Sequence, residues 1–280
     1  MAGHSASEWA GATGQRWHDH LSRFEGMLAD IGAAAIAHAG FAAGESVVDV
    51  GCGAGPTTLA IARAVGQNGR VTGADISPLL IETARARAAA EGLETVSFEV
   101  VDGETGKPSS APFDRLFSRF GVMFFEDSAR AFANMRGWLK PGGRIDFAAW
   151  GPPAQNPWFG AVGGVMARHF DLPAPEPDAP GPFRFGDAAA TTAMLEAAGF
   201  GGVVVREYRA DQPFAGGGAS PDDAVAFVLR ALDMQALLDE ASADKQAEVL
   251  GELRDVFAAH ASPDGIMMPG MSLFFSARAG

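Results

Sequence analysis

Apolar residues recur along the chain in two alternating periods. Trp17, Leu21, Phe24 and Leu28 are separated by four, three and four positions, which lays one stripe along a helix within residues 15–39. "ESVVDVG" is then a continuous apolar run of strand length, and "TTLAIARAV" returns to helical spacing before the turn "GQNG". "RVTGAD" predicts a second strand, and Ser77-Pro78 opens a helix that runs to Glu91 and stops at Gly92. "TVSFEVVD" (95–102) predicts a third strand, and "FDRLFSRFGVMFF" (113–125) contains a fourth. A helix over 127–139 and a fifth strand over 144–150 follow, the strand entered through "KPGG". Strands alternating with helices at this spacing predict a parallel sheet covered on both faces.

After Trp150 the alternation loosens. "DLPAPEPDAPGPFRFGD", from Asp171 to Asp187, is proline-rich and reads as an extended connector. A helix over 187–200 and a sixth strand over 201–210 resume the core, residues 221–260 are rich in helix, and "MSLFFSARA" predicts a closing seventh strand. The expected fold is therefore α/β, a doubly wound, mostly parallel seven-stranded sheet of Rossmann-like type. Its expected parts are a helical arm (1–40), a doubly wound core (41–150), an insertion (151–186), and a completion of the sheet (187–280) with a helical insertion at about 220–262.

Composition narrows the partners. The chain has 280 residues, 48% of them apolar, and no apolar run approaches the roughly 20 residues of a bilayer-spanning helix. A net charge of -13 disfavours nucleic acid and anionic lipid, which call for a basic surface. The first residues lack the basic start and apolar centre of a secretory signal, and a lone cysteine, Cys52, forms no internal disulfide, so a cytoplasmic setting is expected.

Chemistry enters with "VVDVGCGAGPTTLA". Gly51, Gly53 and Gly55 occupy the turn between the first strand and its helix, where a doubly wound sheet binds its ligand. Pro56 stands where the dinucleotide fingerprint needs its third glycine, which argues against an NAD(P)-dependent oxidoreductase. The spacing resembles that of class I S-adenosylmethionine-dependent methyltransferases, whose first motif, D-x-G-x-G-x-G, is matched by Asp49, Gly51, Gly53 and Gly55. "WLKPGGR" before the fifth strand is a further likeness, and the arm and insertions are similar to the small-molecule branch of that family.

The resemblance implies S-adenosylmethionine as cofactor, with Gly51, Cys52, Gly53 and Gly55 alongside its methionine part. Asp75, with Ile76 after it, would hold the ribose diol, Asp102 with Gly103 would read the adenine amine, and Ser118 and Phe120 would lie at the amino-acid end. A carboxylate suits both the diol and the amine as an acceptor. Asp75 as a helix cap and Asp102 as a turn residue are the alternatives. Trp17 is expected in an aromatic lid over the cofactor, or else in a stripe packed on the sheet or on a second copy of the chain.

Methyl transfer to an oxygen, nitrogen or carbon acceptor by in-line displacement needs positioning and desolvation more than a protein nucleophile. For an acceptor hydroxyl, His169 is the expected general base, with a helix-end role as the alternative. Met123, Trp158 and Phe159 are expected around a small, partly apolar acceptor, or in the core. No metal is expected. "Asn156-Pro157-Trp158-Phe159" resembles an amino-methylation motif, but it follows the fifth strand, so Pro157 is expected to start a helix. A catalytically idle cofactor-binding protein is the remaining alternative.

Overall fold

The computed structural model describes residues 6–172, 179–232 and 234–280. The tip of the arm (1–5), the middle of the proline-rich connector (173–178) and Asp233 lie outside the described residues.

The chain folds into one mixed sheet with helices on both faces. The arm comprises α1 (Ala6–Ala10), α2 (Ala12–Asp19) and α3 (Leu21–Ala39). The helix expected over 15–39 is thus two helices, parted at His20, whose φ of -112° and ψ of 18° leave the helical region. The core then alternates through β1 (Ser46–Val50), α4 (Pro56–Val65), β2 (Arg70–Asp75), α5 (Pro78–Ala90) and β3 (Val96–Val100). It continues through β4 (Phe113–Arg119), α6 (Ser128–Arg136) and β5 (Leu139–Trp150). The second half adds α7 (Pro157–His169), α8 (Ala188–Ala197), β6 (Phe200–Phe214), α9 (Pro221–Ala231), α10 (Gln235–Asp239), α11 (Ala243–Ala258), β7 (Ala261–Ser262) and β8 (Gly265–Ala279).

Local chemistry explains the boundaries. Pro56 and Pro78 occupy first-turn positions of α4 and α5, where the missing N–H is no loss. Ser77, Asp127 and Asp187 cap α5, α6 and α8 by accepting backbone N–H groups, and Ser220 with Asp223 makes a reciprocal capping box on α9. All five residues of β1 are buried, which is why that stretch reads as a continuous apolar run with one acid in it.

The sheet order is β3-β2-β1-β4-β5-β8-β6, with the two-residue β7 paired to β8. Strands β1 to β5 pair in parallel, while β8 runs antiparallel to both β5 and β6. The order reverses between β1 and β4, so the loops after these strands part there and leave a crevice at their carboxyl ends. The seven-stranded expectation matches the main path; β7 is too short to carry a periodic signal. The last strand inserts between β5 and β6, and the core spans that join: Phe147 of β5 stacks on Phe275 of β8 with ring centroids 4.8 Å apart.

Candidate active site

The three glycines of the first loop serve three different needs. Gly51 has φ +66°, and a Cβ on it would meet Gly121 Cα at 2.6 Å, so two loops touch backbone to backbone. Gly55 has φ +83°, and a Cβ there would press on Phe98 and Ala84 at 3.1 and 3.2 Å. Gly53 has φ +55° and nothing within 4 Å of a Cβ position. It therefore presents bare backbone to the space above the sheet.

That space is a cavity of about 250 Å³ which begins over the ends of β2 and β3, passes the glycine loop and reaches the end of β5. Gly51, Cys52, Gly53, Asp75, Ile76, Asp102, Gly103 and Phe120 line it, as does Trp17 from the arm. Met123 and Trp158 line it as well. The sequence-predicted residues thus converge from four strand ends, α2 and α7.

Asp75 is the polar anchor. Its carboxylate accepts the backbone N–H of Gly53 at 2.8 Å and of Ser77 at 2.9 Å, tying the glycine loop to the start of α5 while it faces the cavity. Burial pushes its pKa up, against the pull of those N–H donors. Asp102 closes its own turn, accepting Glu104 N–H at 2.9 Å and the Thr105 hydroxyl at 2.7 Å. The turn orients a carboxylate that also lines the cavity.

Five of the expected site residues stand elsewhere. Asp49 lies beneath the loop, fully buried, where Oδ2 accepts both the Thr57 and the Thr58 hydroxyls at 2.7 Å and Oδ1 has no partner. Burial raises its pKa to about 6, against the two threonine hydroxyls and the Arg119 charge. Gly55 packs on the core as described, and Ser118 is buried, its hydroxyl donating to Val50 O at 2.7 Å. Phe159 turns away from the cavity to meet Phe183 at 4.6 Å. His169 ends α7 on the outer side, bonded to Glu252 of α11 at 3.0 Å with Glu248 at 4.0 Å. It is a bridge between two helices and does not border the cavity, which corrects its assignment as general base.

The asparagine-proline stretch is structural too. Pro157 starts α7, and Asn156 bonds Gly151 O, Pro152 O and both polar backbone groups of Met271, locking the β5 exit to β8.

Trp150, Phe214, Phe227, Glu25 and Arg119 escaped the sequence reading as site residues, whereas Phe120, Trp17 and Trp158 were expected there. Phe120 has φ +61°, an uncommon conformation for a residue with a side chain, and its ring stacks on Trp150 with centroids 4.5 Å apart. Beyond this pair the wall is aromatic, with Trp158, Phe214, Phe227 and Phe24. Trp17 stacks on Phe24 at 3.8 Å and Trp9 meets Phe124 at 4.9 Å, and both tryptophans of the arm line the cavity. Glu25 of α3 is gripped by Arg87 of α5 at 2.6 Å, and the same guanidinium donates to Ala54 O, which staples the arm across the glycine loop. Arg119, at the end of β4, also lines the cavity. Burial lowers its pKa from the usual arginine value, with Asp49 and then Glu25 opposing. Its one signal in sequence was a charge closing an otherwise apolar strand end, "SRFG". Cys52, whose thiol burial pushes well up, stays protonated and is no nucleophile.

Known proteins resemble parts of this chain. A family model described as a methyltransferase domain matches residues 47–143. Aklanonic acid methyltransferase DauC of Streptomyces sp. (strain C5) is 40% identical over 106 residues, 38% of this chain and 48% of that protein. Nocamycin O-methyltransferase of Saccharothrix syringae is 33% identical over 179 residues, 60% of this chain and 62% of that protein. The chain thus spans less than two thirds of the length of these relatives. Among solved structures, the YcgJ protein of Bacillus subtilis superposes with a TM-score of 0.59 at 17% identity, over 89% of this chain and 97% of that one. Phosphoethanolamine N-methyltransferase 2 of Haemonchus contortus, bound to S-adenosylhomocysteine, gives 0.53 at 18% identity, over 89% and 52%.

Residues 47–143 match a methyltransferase domain, and the fold around them is that of the solved neighbours. The two relatives named above are methyltransferases by name.

Proposed function

We propose that the protein transfers a methyl group from S-adenosylmethionine to a small, largely apolar acceptor. One observation carries the reading: a single cavity joins a polar end, built of strand-end backbone and the Asp75 carboxylate, to an aromatic end at Trp150, Trp158, Phe214 and Phe227. The residues fit the cofactor. Gly53 leaves a cradle that a Cβ would fill, and Asp75 faces it with acceptor capacity left on a carboxylate. When bound, S-adenosylmethionine supplies a methyl group made electrophilic by its sulfonium charge.

The chain's own part is to bind, orient and exclude water. Asp75 would take the ribose hydroxyls, and Asp102 the adenine amine. Phe120, Trp150 and Trp158 form a dry wall against which a flat acceptor is held in place. The arm, pinned by Arg87, serves as the lid, and the described parts of the two insertions, through Trp158, Pro182, Phe227 and Leu232, cap the acceptor end. Among the described residues no histidine borders the cavity, whose titratable acids are Glu25, Asp75, Asp102 and Glu104. Among the described residues, too, no helix is long and apolar enough to cross a membrane, and a cytoplasmic location, with the lone cysteine reduced, accords with this reading. Arm-to-arm pairing of two copies is a further part of the proposal.

The test is incubation with labelled S-adenosylmethionine and fractionated small-molecule extract, read by mass spectrometry for a methyl-sized increment. S-adenosylhomocysteine should raise the melting temperature and NADH should not; a ligand at 100 times its Kd adds about 2.7 kcal/mol to a two-state protein. Stabilisation by NADH alone would overturn the reading.

A further inference from the structure

Arg119 is the last residue of β4, the strand next to β1 in the sheet. Its side chain runs under α3, where Nη1 donates to Leu28 O at 3.3 Å. Gly32 makes the room: a Cβ there would stand 3.1 Å from Nη1 and 3.2 Å from Cδ. Nε is buried with no acceptor, and no carboxylate among the described residues lies in ion-pair contact with the guanidinium. The two acids whose charges act on it are both engaged, Asp49 by two threonine hydroxyls and Glu25 by Arg87. A cation buried against a cavity without a paired anion is costly, and an anionic ligand relieves that cost.

The sheet order decides which anion. A ligand with its ribose at Asp75 and its base toward Asp102 spans the ends of β2 and β3. Continuing past the glycine loop after β1, its other end arrives over β4, at Arg119. S-adenosylmethionine carries one carboxylate, at the end away from its adenosine. Resting on the cofactor reading above, we propose that Arg119 receives that carboxylate and so selects ligands that keep the amino-acid end. A guanidinium presents parallel N–H donors to a carboxylate in a way that an ammonium does not. Arg16 of α2 also borders the cavity, but from the arm at its mouth.

The test uses two ligands that share the adenosine and thioether, S-adenosylhomocysteine and 5′-methylthioadenosine, the second lacking the amino-acid end. Calorimetric titration of the wild type and of Arg119→Gln, Arg119→Lys and Arg16→Gln separates the possibilities. Arg119→Gln should bind S-adenosylhomocysteine at least about tenfold more weakly and methylthioadenosine within about twofold of wild type. Arg119→Lys, which keeps the charge and protects the fold if the glutamine variant unfolds, should show a smaller loss confined to the same ligand. The proposal is overturned if homocysteine-ligand affinity is unchanged in the Arg119 variants, which would hand the anion to the acceptor. Equal loss of both ligands, or selective loss in Arg16→Gln instead, would overturn it as well. A wild type that binds neither ligand would reject the cofactor reading itself.

Discussion

The two ends of the cavity are built differently. The polar end is made by consecutive loops after β1, β2 and β3, and what it presents is backbone and carboxylates at short sequence intervals. The aromatic end takes Trp17 from α2, Phe24 from α3, Trp150 from β5, Trp158 from α7, Phe214 from β6 and Phe227 from α9. One end is set by local conformation and the other by tertiary assembly. A change at the first should therefore act on a shared cofactor, and a change at the second on the acceptor alone.

The sharpest break in that comparison is Asp75→Ala. It removes the acceptor of two loop N–H groups and the carboxylate facing the cavity, so S-adenosylhomocysteine affinity should fall by about 2–4 kcal/mol with the fold retained. Calorimetry on the folded variant checks it; unchanged affinity would remove Asp75 from the cofactor end.

Asp49 tests what the polar end costs. Its folded pKa of about 6 stands above the ordinary 3.8, so the native state holds a proton there more tightly than the unfolded chain. Stability from this group is full below 3.8 and is lost as pH rises through about 6, a swing worth about 3 kcal/mol. Urea unfolding of ligand-free wild type and Asp49→Asn at pH 4 and pH 7.5 should show the variant losing less stability over that interval. Parallel pH curves would mean that Asp49 does not titrate there.

These two acids also show what could be read in advance. Glycines needing positive φ and an acid at a strand end must lie at set distances along the chain, so the D-x-G-x-G-x-G spacing and Asp75, 20 residues after Gly55, stood out in the sequence. Strand and helix order was legible for the same reason, since short apolar runs and the period of 3.6 are local. Phe227 was not legible, because it reaches the site only when α9 folds back on α3 from 203 positions later than Phe24. Which apolar residue faces a cavity and which faces a helix is a property of packing, as Trp158 and its neighbour Phe159 show by parting ways.

Phe227→Leu sharpens the other side of the comparison. The ring is 3% exposed and meets Phe24 at 5.0 Å and Phe214 at 6.0 Å. Trimming it should cost about 1 kcal/mol of stability and leave S-adenosylhomocysteine affinity within about twofold, while the KM for the acceptor changes. A drop in cofactor affinity as large as that in Asp75→Ala would show that the two ends are not separable.

The smallest effect is expected at the histidine that the sequence offered as a general base. His169 closes a helix in the insertion, and a histidine there invites a catalytic role. In the fold its ring is turned to α11, bonded to Glu252, which Arg168 also engages. Both acids on α11 lie at the surface side of the bridge, Glu248 being exposed, and ion pairs of that kind contribute little to stability. His169→Gln keeps a hydrogen-bonding group of similar reach, so melting temperature should move by no more than a few degrees and turnover of whichever acceptor is found should stay within about twofold across pH. A general base replaced by glutamine would instead lower kcat by about 10²-fold or more and flatten its rise with pH. That outcome would carry the aromatic end of the cavity outward to the α7–α11 seam and undo the boundary drawn between site and scaffold.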